Sequence, residues 1–318
     1  MSPKQASRSV ASRTDPPAAK RPGGEPIGGP DGSKPAGLAP GLHLVATPIG
    51  NLKDITLRAL EALAQADVLV CEDTRVTRKL LAAQGIERPL LAYHEHNAAE
   101  MRPRLLAELA AGAAVALCSD AGTPLISDPG YKLVRAAIEA GHPVTTLPGA
   151  SAPLAALVVS GLPSDRFYFG GFLPPKSAAR RRTLQALAEL EASLLFLESA
   201  RRLPATLADL AAVLGPRPAA VGRELTKLFE EVRRGRLSEL AAVYAEEGPP
   251  KGELVIVVGP PEAGPGISAE SLDARLRAAL ADASLRDAVD RVAAESGLPR
   301  RQVYQRALAL AEESEPPT

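Results

Sequence analysis

Three short segments combine glycine and proline with hydroxyl or carboxyl side chains: Thr47-Pro48-Ile49-Gly50-Asn51, Ser119-Asp120-Ala121-Gly122-Thr123-Pro124 and Pro148-Gly149-Ala150-Ser151-Ala152. Glycine lets backbone N–H and C=O groups approach a ligand, and proline stiffens the loop that aims them. One such segment is what any tight turn uses. Three of them, each closing an apolar run and one continuing to Ser127 and Asp128, suit a polar small molecule held by hydrogen bonds. Asp120 reads equally as a turn-forming residue and as an acceptor for a diol or an ammonium group. Two charged clusters, Cys71-Glu72-Asp73-Thr74-Arg75 and Arg223-Glu224-Leu225-Thr226-Lys227, hold groups able to accept a proton or steady a developing anion. The first reads as well as a helix cap built on Asp73, and Lys227 as a solvated lysine. GxGxxG and P-loop fingerprints are missing, as are CxxC and HExxH, and two of only four histidines sit in the run His94-Glu95-His96, so no metal site is expected.

These segments need a scaffold, and the apolar pattern supplies one. Between Leu42 and about Ser160, runs such as Leu42–Thr47, Asp67–Cys71, Pro89–Tyr93, Ala114–Cys118 and Pro143–Leu147 alternate with stretches of helical periodicity. That order predicts a mostly parallel sheet covered on both faces, whose ligands bind beyond the carboxyl ends of the strands. A second series, 167–172, 194–198, 219–223 and 253–259, predicts another α/β unit. After a Pro/Gly linker at 260–266, residues 268–313 have helical spacing, with a cap at Ser284, a turn at Gly297 and a second helix from Pro299, which fits a helix-turn-helix. The expected division is therefore a tail at 1–40, an α/β domain at 41–160, a second at 161–260, and a linker with a small helical unit at 261–318.

With 318 residues and 46% hydrophobic composition, the chain has material for two ordinary domains. Its 37 cations balance 37 anions, so any nucleic-acid surface must be local. Residues 1–40 hold eight prolines and six glycines and read as disordered. Cys71 and Cys118 end apolar runs and read as buried thiols of a reducing compartment. No membrane-length apolar run or secretory h-region is visible, so a cytoplasmic location is expected.

Several longer stretches, 44–59, 71–75, 93–97, 119–134, 148–152, 171–176, 223–227 and 251–253, resemble the ribosomal RNA small subunit methyltransferase I family. The similarity runs from about Leu42 to Gly259. It implies two α/β domains of the tetrapyrrole-methylase-like class with S-adenosylmethionine in the cleft between them, usually as a homodimer. It also implies 2′-O-methylation of a decoding-region cytidine in 16S rRNA, with the 30S subunit as partner. Matched residue by residue, the cofactor would lie against Pro48, Asp120, Gly122, Thr123, Pro124, Ile126, Ser127, Ala150, Ser151, Ala152, Phe172 and Leu173. Glu72, Asp73, Arg75, Glu224 and Lys227 become the catalytic candidates. RNA would be met by Lys176, Arg180, Arg181 and Arg182 at one helix start, Arg201 and Arg202 at another, and Arg300, Arg301 and Arg306 in the C-terminal unit. Cations at helix N-termini oppose the macrodipole, which favours a phosphate-binding reason for them. The family commonly has Pro-His where this chain has Ala200-Arg201 after Glu198-Ser199, so no histidine role carries over. Two other readings stay open: a methylase of a precorrin-like or protein substrate, and a nucleic-acid-binding regulator that senses a ligand.

Overall fold

The computed structural model describes residues 37–127, 130–262, 269–296, 298 and 300–313. Most of the expected tail, together with Asp128, Gly297 and Pro299, lies outside the described residues. The first half alternates as expected: β1 (Gly41–Val45), α1 (Leu57–Gln65), β2 (Val68–Cys71), α2 (Thr74–Ala83), β3 (Leu91–Ala92), α3 (Ala98–Ala110), β4 (Ala114–Cys118), α4 (Tyr131–Glu139), β5 (Val144–Leu147) and α5 (Ala152–Ser160). The strands form one sheet in the order β3-β2-β4-β1-β5, every pair parallel. Burial on both faces explains the near-continuous apolar runs, and β4 is buried at all five positions. Cys71 and Cys118 are free, buried and paired in register on β2 and β4.

The second half contains β6 (Phe167–Phe172), α6 (Ser177–Gln185), β7 (Ser193–Ser199), α7 (Leu203–Leu214), β8 (Pro218–Arg223), β9 (Glu231–Arg236), α8 (Leu237–Glu247) and β10 (Glu253–Val258). Its sheet runs β6-β7-β10-β8-β9; β6 and β7 are parallel and the other pairs antiparallel. Strand β9, Glu-Val-Arg-Arg-Gly-Arg, carries no apolar alternation and escaped the sequence pattern. It is an edge strand, where charge prevents pairing with other chains. Its Arg233 pairs with Glu231 and Glu247 at 2.5 Å and lies 5.2 Å over the Tyr244 ring.

Helix α5 belongs to both halves. It precedes the expected boundary at residue 160, yet Ala156 and Leu157 pack with Leu195, Val255 and Val257 of the second sheet and with Ile49 of the first loop. Its sequence, Ala-Pro-Leu-Ala-Ala-Leu-Val-Val-Ser, is apolar on nearly every side, and of it Pro153, Ala156, Leu157 and Ser160 are buried while Leu154 and Val158 stay exposed.

The second core includes Leu194, Phe196, Leu203, Leu207 and Ile256. Two of the expected RNA contacts belong to this interior instead. Arg180 is 3% exposed: its guanidinium meets Asp209 of α7 at 2.6 Å and also donates to the Pro174 and Pro175 carbonyls. Arg181 and Ser177 reach the same carboxylate at 2.5 and 2.9 Å. Burial pushes the Asp209 carboxyl up, but the hydrogen bonds from Arg181, Ser177 and Arg180 outweigh it and hold it below its ordinary range. Arg202 donates to the Leu173 carbonyl at 2.6 Å and to buried Glu198 at 2.9 Å, and Glu198 also accepts from Thr206 at 2.6 Å. A basic run at a helix start therefore serves here partly to satisfy buried acids. Lys176, Arg182 and Arg201 remain exposed.

The C-terminal unit comprises α9 (Ala269–Leu280), α10 (Leu285–Ser296) and α11 (Arg300–Glu313), packed through Leu272, Leu276, Val289, Val292, Val303 and Ala307. Ser284 caps α10 as expected, accepting from the Asp287 N–H at 3.2 Å. Arg306 is bound to Asp273 at 2.5 Å and Arg300 to Asp290, while Arg301 is exposed. Removing one partner of a buried ion pair strands the other, so Asp209→Ala should cost about 3–5 kcal/mol in urea unfolding. Arg182→Ala, on the exposed side of the same helix, should stay within about 0.5 kcal/mol of the parent.

Candidate functional site

The parallel first sheet brings its loops to one edge, and specific bonds join them. The loop after β4 doubles back over the end of β1: the Thr47 N–H donates to the Gly122 carbonyl at 2.9 Å and Gly122 returns the bond at 3.0 Å. The Thr47 hydroxyl donates to the Ser119 carbonyl at 3.0 Å, and the Ser119 hydroxyl to the Gly122 carbonyl at 2.6 Å. Gly122 has φ +83°, and a Cβ there would come within 3.2 Å of Ile49, so both backbone hand and space call for glycine. The Thr123 hydroxyl then donates to the Ala150 carbonyl at 3.1 Å, which ties in the third loop. All three glycine- and proline-bearing segments thus form one hydrogen-bonded assembly.

That assembly leaves polar groups unspent. Ser151 occupies the N-cap position of α5 in extended conformation, but its hydroxyl makes no cap bond, and Pro153 in the first turn has no N–H. The helix start therefore keeps uncapped N–H groups and the positive end of its dipole, an arrangement that favours an anion. Further along the second loop, Leu125 and Ser127 have φ of +71° and +69°, a strained conformation for residues with side chains. Ile126 and Ser127 are exposed, and the Ser127 hydroxyl would sit 3.6 Å from a Cβ placed on Gly171 of β6. Neighbouring Phe172 is 59% exposed. Leu173, expected beside it at the cofactor, instead points into the second core, and its carbonyl is taken by Arg202.

The charged cluster after β2 joins the same edge through Asp120, whose carboxylate accepts from the Asp73 N–H at 3.0 Å. Asp120 is thus a brace between two loops, with one of its carboxylate oxygens so used. Partial burial raises its carboxyl above the ordinary range, more than the Asp73 N–H lowers it. Asp73 caps α2 by accepting from the Arg75 N–H at 2.8 Å, and the Arg75 guanidinium folds back on it at 2.6 Å, holding the carboxyl at about 2. The capping reading of this cluster is realised. Glu72 differs from Asp73: burial, then the nearby Asp120 charge, raises its carboxyl.

The second charged cluster meets the first loop. The Asn51 N–H donates to the Thr226 hydroxyl at 3.1 Å, and Gly50 lies so close to the Lys227 side chain that a Cβ there would clash. Lys227 binds Glu224 at 2.8 Å and Glu253 at 3.1 Å. Burial pulls its ammonium down, but the two carboxylates outweigh that and raise it, so the residue is a fixed cation. Glu224 is held below its ordinary value first by Lys227 and then by the Glu253 N–H. Sequence reading included Thr47, Asn51, Ser119 and Thr226 in its segments but gave none of them a role of its own, and it is they that do the joining. Their only signal was a small polar residue next to a glycine or at a strand end. Among the described residues no cluster of acids, histidines and cysteines could hold a metal.

This geometry coincides with clear relationships. The model of the Tetrapyrrole (Corrin/Porphyrin) Methylases matches residues 41–241, and that of the RsmI C-terminal HTH domain matches 265–311. A protein of Mesorhizobium japonicum named ribosomal RNA small subunit methyltransferase I is 53% identical over 278 residues, covering 87% of this chain and 94% of its own. One of the same name from Micromonospora olivasterospora is 48% identical over 302 residues, covering 92% and 95%. Among solved structures, uroporphyrin-III C-methyltransferase of Thermus thermophilus superposes with a TM-score of 0.50 at 26% identity, over 69% of this chain and 93% of its own. With the parallel sheet, the mixed second sheet and the C-terminal helical unit all in place, the chain belongs to the ribosomal RNA small subunit methyltransferase I family, within the tetrapyrrole methylases.

Proposed function

We propose that the chain transfers a methyl group from S-adenosylmethionine to the ribose 2′-hydroxyl of a decoding-region cytidine in 16S rRNA, acting in the cytoplasm as a homodimer on the 30S subunit. The observation that carries this reading is the three-loop assembly with an uncapped helix start on one side and the Asp120 carboxylate on the other. A zwitterionic ligand with a carboxylate, an ammonium and a ribose diol fits such a donor set. The α5 start would take the carboxylate, and the remaining oxygen of Asp120 the ammonium or diol. Pro48, Gly122, Thr123, Pro124, Ile126, Ser127, Ala150, Ala152 and Phe172 would line the remainder. When bound, the cofactor supplies an electrophilic methyl on a sulfonium.

The chain itself must align the hydroxyl and manage its proton. Of the carboxylates in the two charged clusters, Glu72 is the best acceptor, because Asp73 is held at about 2 and Glu224 is spent on Lys227. Lys227, kept protonated by two acids, is suited to steady alkoxide character rather than to act as a base. Exposed Lys176, Arg182, Arg201 and Arg301 are suited to meet phosphates, whereas Arg75, Arg180, Arg181, Arg202, Arg300 and Arg306 are bound to acids, Arg75, Arg181 and Arg300 at exposed positions. Methylation of a tetrapyrrole is the second reading, motivated by the Thermus thermophilus relative. The helix-turn-helix match at 265–311 favours RNA, because a small substrate needs no such unit.

Labelled S-adenosylmethionine incubated with the protein and 30S subunits lacking the modification should label 16S rRNA at one cytidine ribose; labelling of a tetrapyrrole and not RNA would reverse the order of the two readings. By calorimetry, Asp120→Ala should weaken cofactor binding about tenfold, whereas Arg75→Ala should leave it unchanged and lower turnover. For Glu72→Gln, the expected result is a fall in kcat together with loss of the acidic limb of the pH–rate profile. That limb should rise as pH climbs through the elevated Glu72 value, because only the carboxylate accepts the proton. A limb preserved in the variant would assign it to another group.

A further inference from the structure

The loop between β8 and β9 ends in two apolar side chains with little cover: Leu228 is 89% and Phe229 68% exposed. This tip is stiff. Glu224 and Thr226 have φ of +49° and +67°, and the Thr226 N–H is held by the Glu230 carboxylate at 2.6 Å. The Lys227 N–H donates to the Glu224 carbonyl at 3.0 Å, and the Glu230 N–H to the Lys227 carbonyl at 3.1 Å. Strain held by so many bonds fixes where Leu228 and Phe229 project. The base of the loop is fastened to the first cleft loop by the bond from Asn51 to Thr226.

Strand register brings unpaired cations to the sheet end from which the tip projects, where Glu224 and Glu253 are already bound to Lys227. Arg223 pairs with Leu254 and Glu253 with Ser199, so the end of β8, the start of β10 and the end of β7 share one edge of the second sheet. Arg201 follows β7 and Lys251 precedes β10 at that edge, and Lys53 follows Asn51 on the first-domain side. All three are exposed, and among the described residues none is in an ion pair. An exposed aromatic ring on a loop rising from a sheet end that also carries unpaired cations matches single-stranded RNA, whose unstacked bases lie on aromatic faces while cations meet the phosphates.

We propose that the Leu228–Phe229 tip is a base-stacking surface for RNA, with Phe229 as the platform for a nucleotide next to the one entering the cleft. This rests on the ribosomal RNA reading above. The chain has no tryptophan, so Phe229→Trp installs a sole reporter. Titrating that variant with 16S rRNA should quench its emission, and its methylation of 30S subunits should persist because the aromatic face is kept. Phe229→Ala should raise KM for RNA about tenfold, with cofactor affinity and solution mass by light scattering unchanged. Emission indifferent to saturating RNA, or an unaltered KM in the alanine variant, would overturn the proposal. So would a halved solution mass in that variant, which would make the tip a contact between copies of this chain. RNA quenching by a wild-type-folded Trp variant, with no RNA methylation by the parent, would keep the surface and remove the catalytic reading instead.

Discussion

Two backbone hydrogen bonds between Thr47 and Gly122 organise the cleft. The strands they extend, β1 and β4, are parallel, yet this bridge is antiparallel, so the chain must reverse within four residues of Cys118. Only then do the loops after β1 and β4 become one surface, to which Thr123 adds the loop after β5 and Asp120 the turn after β2. The reversal requires a left-handed residue with no side chain, which Gly122 supplies. Proline stiffness alone would have given three separate turns. Cross-bonding makes them one wall whose polar groups are held in fixed directions.

Charge was the least transparent property of the sequence. Arg180 and Arg202 look like solvated helix starts but close on Asp209 and Glu198 in the second half of the chain. Their partners lie 29 and 4 residues away, and one-dimensional spacing has no means of assigning the first of these. The same holds for Arg306 with Asp273. A neutral chain with many arginines can thus spend much of its positive charge internally, leaving a narrower set to form an external field.

What was readable followed from periodicity and turn chemistry. All five strands of the first sheet coincide with short apolar runs, because double-sided burial demands continuous apolarity. Asp73 as a helix cap and Ser284 as another were visible from residue type alone. Strand β9 was not, since an edge strand has no need of an apolar face. Nor was Leu173, whose burial depends on the second core. The bonds from Asn51 to Thr226 and from Thr47 to Ser119 join residues 175 and 72 positions apart, and only the fold brings them together.

Helix α5 starts at the loop-bearing edge of one sheet and lies against the apolar face of the other. A rigid-body hinge between the two halves would have to peel Ala156 and Leu157 from Leu195 and Val257, exposing oily surface to water at each cycle. The helix is a common keel. Any movement of one sheet against the other therefore carries a cost in exposed apolar surface.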